Sequence, residues 1–286
     1  MQVREFKSNV EYEERSCANF MQKIKLFAVT GCLLCILCAC ANEEKSNTKQ
    51  ETIQTMSSEQ TRHWSYEAET GPTNWGELEN AYKVCKFGNE QSPINIVDSQ
   101  VETNDIAIEP QYNATKLSLE NNGHTIQANV ALQNNLLIVN EQQFNLLQFH
   151  FHTPSEHQFN GQLYEMELHF VHQNEKDELA VLGVMIQQGE ENKTLQPLWN
   201  VLPQTTTDEE MVVLQNIALH ELLPPEQSFY YYEGSLTTPP CTEQVQWFML
   251  KEPIEMSNDQ IAVFQQIFTD NHRPVQPLND RTMSEN

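Results

Sequence analysis

Two short stretches of the chain concentrate the side chains that could do chemistry. LLQFHFHTPSEH, residues 146–157, sets His150 and His152 two apart and follows them with Glu156 and His157. MELHFVH, residues 166–172, adds His169 and His172. Side chains on a strand alternate sides, so Gln148, His150 and His152 share a polar face while Leu147, Phe149 and Phe151 share an apolar one. The second stretch sorts the same way, with Glu167, His169 and Val171 on one side and Leu168, Phe170 and His172 on the other. Pairing the two strands brings His169 beside His150 and His152. Three neutral imidazoles with a fourth position left for water suit a catalytic zinc. Gln148 and Glu167 each stand two residues before a histidine on the same face, placed to hold its second ring nitrogen. His63, His157, His172, His220 and His272 read as structural or surface residues.

The elements that must position these groups are mostly strands. Period-two alternation recurs in TKLSLENNGHTIQANV, NLLIVNEQQFNLLQFHFH, YEMELHFVHQ, ELAVLGVMIQ and EQVQWFML, separated by turn residues. Helical patterns are few: PLWNVL from Pro197, and Asn258 to Phe268 with Ser257 or Asn258 as its cap. No internal repeat or second composition boundary is present, which favours one domain over residues 62–284.

Ahead of that domain, Lys23 and Lys25 precede an apolar run from Leu26 to Ala39 that is short for a membrane span and reads as an export signal. Leu37-Cys38-Ala39-Cys40 resembles a bacterial lipoprotein cleavage box, making Cys40 the lipid-bearing first residue of the mature chain; an uncleaved anchor is the alternative. The acidic stretch before Met21 is foreign to a signal, so Met21 is an alternative start to Met1. Residues 41–61 lack large apolar side chains and read as a flexible tether. The expected location is the cell envelope, periplasmic or on the surface, with the membrane touched only through the lipid.

Sixteen basic against 40 acidic residues give a net charge of −24 and exclude a general affinity for nucleic acid. Of seven cysteines, only Cys85 and Cys241 lie beyond the cleavage box, and in an exported chain they are most simply one disulfide. Closing a loop of about 150 residues contributes on the order of 5 kcal/mol in the chain-entropy view.

Taken together, HWSY from His63, GPTNWGEL, QSPINI, NNGHTIQ, LLQFHFHTPSEH, MELHFVH, LAVLGVMI, GSLTTPPCTEQVQW and NHRPVQPLNDR resemble an alpha-class carbonic anhydrase over essentially all of residues 62–281. The resemblance implies a single, mainly β domain: a twisted, mostly antiparallel sheet of about ten strands, a few short peripheral helices and a conical cavity reaching the sheet's centre. It implies zinc on His150, His152 and His169, with a hydroxide on that zinc attacking carbon dioxide to give bicarbonate and a proton; this family is the standard example of that chemistry. Thr237 takes the place of the hydroxyl that orients the nucleophile by donating to a buried carboxylate, here Glu156. Val171, Val181, Leu236 and Trp247, with Val245 nearby, would line the apolar substrate pocket, and Thr238 would stand beside bicarbonate. His124 takes the proton-shuttle position, where a pKa near ambient pH serves best, with Tyr66 and Asn122 matching its water network. Cis bonds before Pro93 and Pro240 are also implied. Ser65 and Gln127 depart from residues common at their positions, away from the metal.

Two rival functions remain at this point. His150, His152 and Glu156 also fit the His-x-His-x3-Glu core of a cupin, which would make Glu156 a ligand of iron or manganese. Alternatively the fold serves as a catalytically silent surface-binding module, although such proteins lose zinc histidines that are present here. A homodimer is left open.

Overall fold

The computed structural model describes residues 63–131, 134–206 and 210–286. The export signal, the lipid site at Cys40 and the tether lie outside the described residues. A twelve-stranded sheet dominates: β1 (Val101–Thr103), β2 (Ile108–Gln111), β3 (Leu117–Asn121), β4 (Ile126–Val130), β5 (Leu136–Val139), β6 (Gln142–His152), β7 (Met166–Gln173), β8 (Leu179–Gln188), β9 (Met211–Val212), β10 (Phe229–Ser235), β11 (Glu243–Met256) and β12 (Met283–Glu285). Their spatial order is β9-β3-β4-β6-β7-β8-β11-β10-β12-β1, with β5 also paired to β6 and carrying β2 beyond it. Most pairings are antiparallel, and β8 with β11 and β12 with β1 run parallel. The sheet is therefore mixed and somewhat larger than the expected ten strands.

Alternation divides the central strands as their sequences require. Phe149, Phe151, Leu168, Phe170, Leu182, Val184, Phe248 and Leu250 point to one face and form the main core. Val171, Val181, Met185, Val245, Trp247 and Met249 point to the other. One position fails the rule. Leu147 is 39% exposed while Leu146 is 2% exposed, because His172 pairs with Leu146 and Val171 with Gln148, leaving Leu147 as an extra residue in a bulge. A bulge resets alternation on one side only, so the register from Gln148 to His152 survives it.

Helices are short: α1 (Trp75–Leu78), α2 (Val84–Phe87), α3 (Gln196–Trp199) and α4 (Asn258–Ile267). The α4 cap is Ser257, whose hydroxyl accepts from the Gln260 N–H while the Gln260 side chain returns to the cap, a capping box. PLWNVL supplies only a single turn, because α3 ends at Trp199. The peptide bonds before Pro93 and Pro240 are cis, and so is the bond before Pro154, which the sequence did not announce.

His172 is buried in the main core, its Nδ1 donating to Ala180 O at 3.1 Å and its Nε2 accepting from Tyr112 Oη at 2.7 Å. Burial lowers its pKa to about 4. The unfolded chain, with an ordinary imidazole, binds the extra proton first as pH falls, so stability is present above about 6.5 and is lost toward 4. We expect a loss of up to about 3 kcal/mol from this group over that interval. Urea unfolding at pH 7 and pH 4.5 should show a shallower pH dependence for His172→Gln than for the wild type.

Candidate metal centre and active-site cavity

Register builds the histidine cluster. On paired strands His169 lies opposite His150, Glu167 opposite His152 and Gln127 of β4 opposite His150. His150, His152 and His169 come together with their ligand atoms within 4.8 Å of one another. Each ring has one nitrogen already engaged. His150 Nδ1 meets Gln148 Oε1 at 2.8 Å, His152 Nδ1 meets the Asn271 carbonyl at 2.7 Å, and His169 Nε2 meets Glu167 Oε1 at 2.6 Å. That leaves His150 Nε2, His152 Nε2 and His169 Nδ1 as the three free donors. His152 Nε2 is buried with no hydrogen-bond partner, an arrangement that costs energy unless something binds there.

Electrostatics keeps these rings in the ligating form. Burial lowers the pKa of His152 to about 4; burial, reinforced by His152 and His169, takes His150 well below the usual value, and burial likewise lowers His169. All three are neutral near pH 7, as metal ligation requires. Three neutral nitrogens with no thiolate among them fit zinc.

Beneath the cluster lies a buried polar chain. Glu167 Oε1 also bonds His157 Nδ1 at 2.7 Å, Oε2 accepts from the N–H groups of Glu156 and His157, and His157 Nε2 meets Tyr232 Oη at 2.6 Å. Burial pushes the Glu167 carboxyl up, but His157 and His169 outweigh it and hold its pKa well below normal. His157 thus serves the centre from one step behind it, and the structural reading of this residue acquires a definite object. Gly183, opposite His169 on β8, lies against Met249, and an added Cβ would displace that thioether.

Glu156 is fully buried. Oε1 accepts from the Arg273 N–H at 2.8 Å, while Oε2 stands 3.5 Å from His152 Nε2 and 4.0 Å from His169 Nδ1. Burial raises its pKa, with Glu167 adding and with His169, Thr237 and the Arg273 N–H opposing. Thr237 is itself buried, and Glu156 Oε2 has no hydrogen-bond partner. Arg273 is 1% exposed, and its guanidinium donates to Gln91 Oε1, Ser92 O and Cys85 O. Cys85 and Cys241 form the disulfide, with Cα atoms 5.0 Å apart.

Val171, Val181, Val245 and Trp247 form an apolar wall, with Leu236 partly buried against them and Thr238 half-buried. A cavity of about 420 Å³ is lined by His63, Trp64, Tyr66, Asn122, His124 and Asp270 among others. A larger groove of about 740 Å³, bordered by Glu90, Glu233 and Arg281, includes none of the site residues. Tyr66 Oη is buried without a partner, and burial, then Glu156 and Asp270, keep its pKa well above the ordinary phenol value. Asn122 Oδ1 accepts from the N–H groups of His124 and Thr125 and so shapes the turn that carries His124. The His124 ring lies on Trp64 with centroids 3.5 Å apart and planes 10° apart. Burial and the nearby His63 lower its pKa to about 4, away from the neutral value that a shuttle would favour.

Sequence reasoning missed Asn271, Arg273 and Tyr232. Asn271 supplies a backbone carbonyl to His152 while its side chain donates to His124 O and Phe151 O, a role that carries no side-chain signature in sequence.

A large mixed sheet carrying three imidazoles whose ligand nitrogens converge beside an apolar wall is an arrangement that could hold a metal ion next to an uncharged substrate. Residues 70–286 match the model of the eukaryotic-type carbonic anhydrase family. The chain is 43% identical over 230 residues to a carbonic anhydrase of Nostoc sp., covering 79% of this chain and 86% of the relative. It is 43% identical over 225 residues to a carbonic anhydrase of Klebsiella pneumoniae, covering 78% and 91%. The solved structure of an alpha-carbonic anhydrase from Thermovibrio ammonificans, in complex with the inhibitor sulfanilamide, superposes with a TM-score of 0.75 at 41% identity, covering 78% of this chain and 98% of that one. The chain belongs to the alpha, or eukaryotic-type, carbonic anhydrase family, whose enzymes interconvert carbon dioxide and bicarbonate. The cupin alternative falls with that assignment.

Proposed function

We propose that this chain hydrates carbon dioxide at a zinc ion held by His150 Nε2, His152 Nε2 and His169 Nδ1. The observation that carries the reading is the set of three inward nitrogens whose opposite ring atoms are already committed to Gln148, Asn271 and Glu167. When bound, the metal acidifies a water at neutral pH and so supplies the nucleophile. The chain's own residues do the rest. Gln148, the Asn271 carbonyl and Glu167 fix each imidazole's tautomer and aim. Thr237, with its proton directed to Glu156, presents only acceptor lone pairs toward the reacting oxygen and so orients it. Val171, Val181, Leu236 and Trp247 offer carbon dioxide an uncharged surface, and Thr238 meets the product. His124 takes the proton that hydration releases, within the group formed by Tyr66 and Asn122.

Hydration of carbon dioxide by the full chain should disappear on treatment with a zinc chelator, return with added zinc and be inhibited by sulfanilamide. Activity indifferent to both reagents would remove the metal centre from the mechanism. Export with a lipid on Cys40 is part of the proposal, supported by the cleavage box and the single cysteine pair beyond it. Incorporation of labelled palmitate, lost in Cys40→Ser, tests it.

A further inference from the structure

A proton that reaches His124 must leave again. Flat against Trp64 and with its pKa lowered to about 4, the ring releases a proton readily near neutral pH and stores none. His63 is the adjacent base. It is exposed, lines the same cavity, and its ring centroid lies 5.1 Å from that of His124 with the planes 26° apart. His63 Nδ1 sits 3.0 Å from the Trp64 carbonyl, to which it donates, leaving Nε2 as the acceptor. Trp64 therefore holds both imidazoles, one by its ring and the other by its backbone. Other charged groups at this mouth are Glu67 and Asp270, the latter 2.5 Å from His272 Nδ1.

We propose that His63 is a second proton-carrying residue, accepting the reaction's proton from His124 and delivering it to buffer outside the cavity. An N–H bond of the His124 imidazolium breaks as an N–H bond forms at His63 Nε2, with the proton passed across water because the rings are stacked and their N–H bonds lie in the ring planes. A buffer base then removes that proton from Nε2, and His63 returns to its starting tautomer. No other bond changes. The inference rests on the reading of His124 given above.

The test compares the full-length wild type, His63→Gln and His124→Ala, each with its zinc content measured, by stopped-flow hydration in dilute buffer and in imidazole. For His63→Gln we expect kcat to fall several-fold, about 3- to 10-fold, in dilute buffer, with kcat/KM unchanged and imidazole restoring kcat. NMR titration supplies a readout independent of turnover: replacing His63 should move the His124 pKa upward. Wild-type kcat for His63→Gln in dilute buffer, kcat and kcat/KM falling together, or an unmoved His124 titration would each overturn the relay. If His63→Gln alone is silent, only this inference fails; if His124→Ala is silent as well, the shuttle reading fails with it.

Discussion

His152→Ala is expected to lose the metal and, with it, carbon dioxide hydration above background. Removing an outer partner of a ligating histidine typically costs ~10–100-fold in metal affinity, and removing the ligand itself must cost more. The effect is sharpened here because His152 Nε2 is buried and has no protein partner to fall back on. Gln148→Leu provides the graded comparison: His150 stays while its Nδ1 contact goes, so affinity should fall within that ~10–100-fold range. Zinc content by elemental analysis and stopped-flow hydration read both variants. A His152→Ala protein that retains one equivalent of zinc and wild-type turnover would falsify the assignment.

Cys241→Ser should destabilise the fold by about 2–5 kcal/mol, read as a lower guanidinium midpoint under non-reducing conditions. The bridge spans 156 residues, so the reduced, unfolded chain regains a large loop entropy. It also anchors more than itself. The Cys85 carbonyl receives Arg273 Nη2 at 2.7 Å, and the Arg273 N–H holds Glu156, so the bridge stands two bonds away from the carboxyl beside Thr237. The Cys241 N–H bonds Thr238 O at 2.8 Å, tying the other end to the same loop. A loss below about 1 kcal/mol would mean that the reduced, unfolded chain is already compact around these positions.

What could be read in the sequence follows from how local each determinant is. His150, His152, Phe149 and Phe151 sorted correctly because strand periodicity is a local rule, and the bulge that misplaced Leu147 lies just outside them. Ser257 and Gln260 are three residues apart, so their capping box was within reach of a sequence reading. Asn271 stayed hidden because its carbonyl is an atom every residue possesses, and it meets His152 across 119 positions. Arg273 stood in a quoted motif without a role, since nothing local marks a guanidinium destined for full burial among three oxygen acceptors. His157 was separated from its purpose for a related reason: its meaning depends on Glu167, ten positions away on β7, and on Tyr232, seventy-five away on β10.

The Glu156 to Arg273 contact joins residues 117 apart, and the Asn271 carbonyl that steadies His152 comes from the same late stretch. All three ligand histidines, with Gln148 and Glu167, thus precede by about a hundred residues the Asn271 carbonyl and the Arg273 N–H that complete their surroundings. Without that late stretch His152 Nδ1 would lose its carbonyl acceptor, and the carboxyl of Glu156 would have water rather than a backbone amide for company. A chain cut before Asn271 would carry every candidate ligand and still bind its metal less tightly, which makes the last stretch of sequence a determinant of affinity without contributing a ligand.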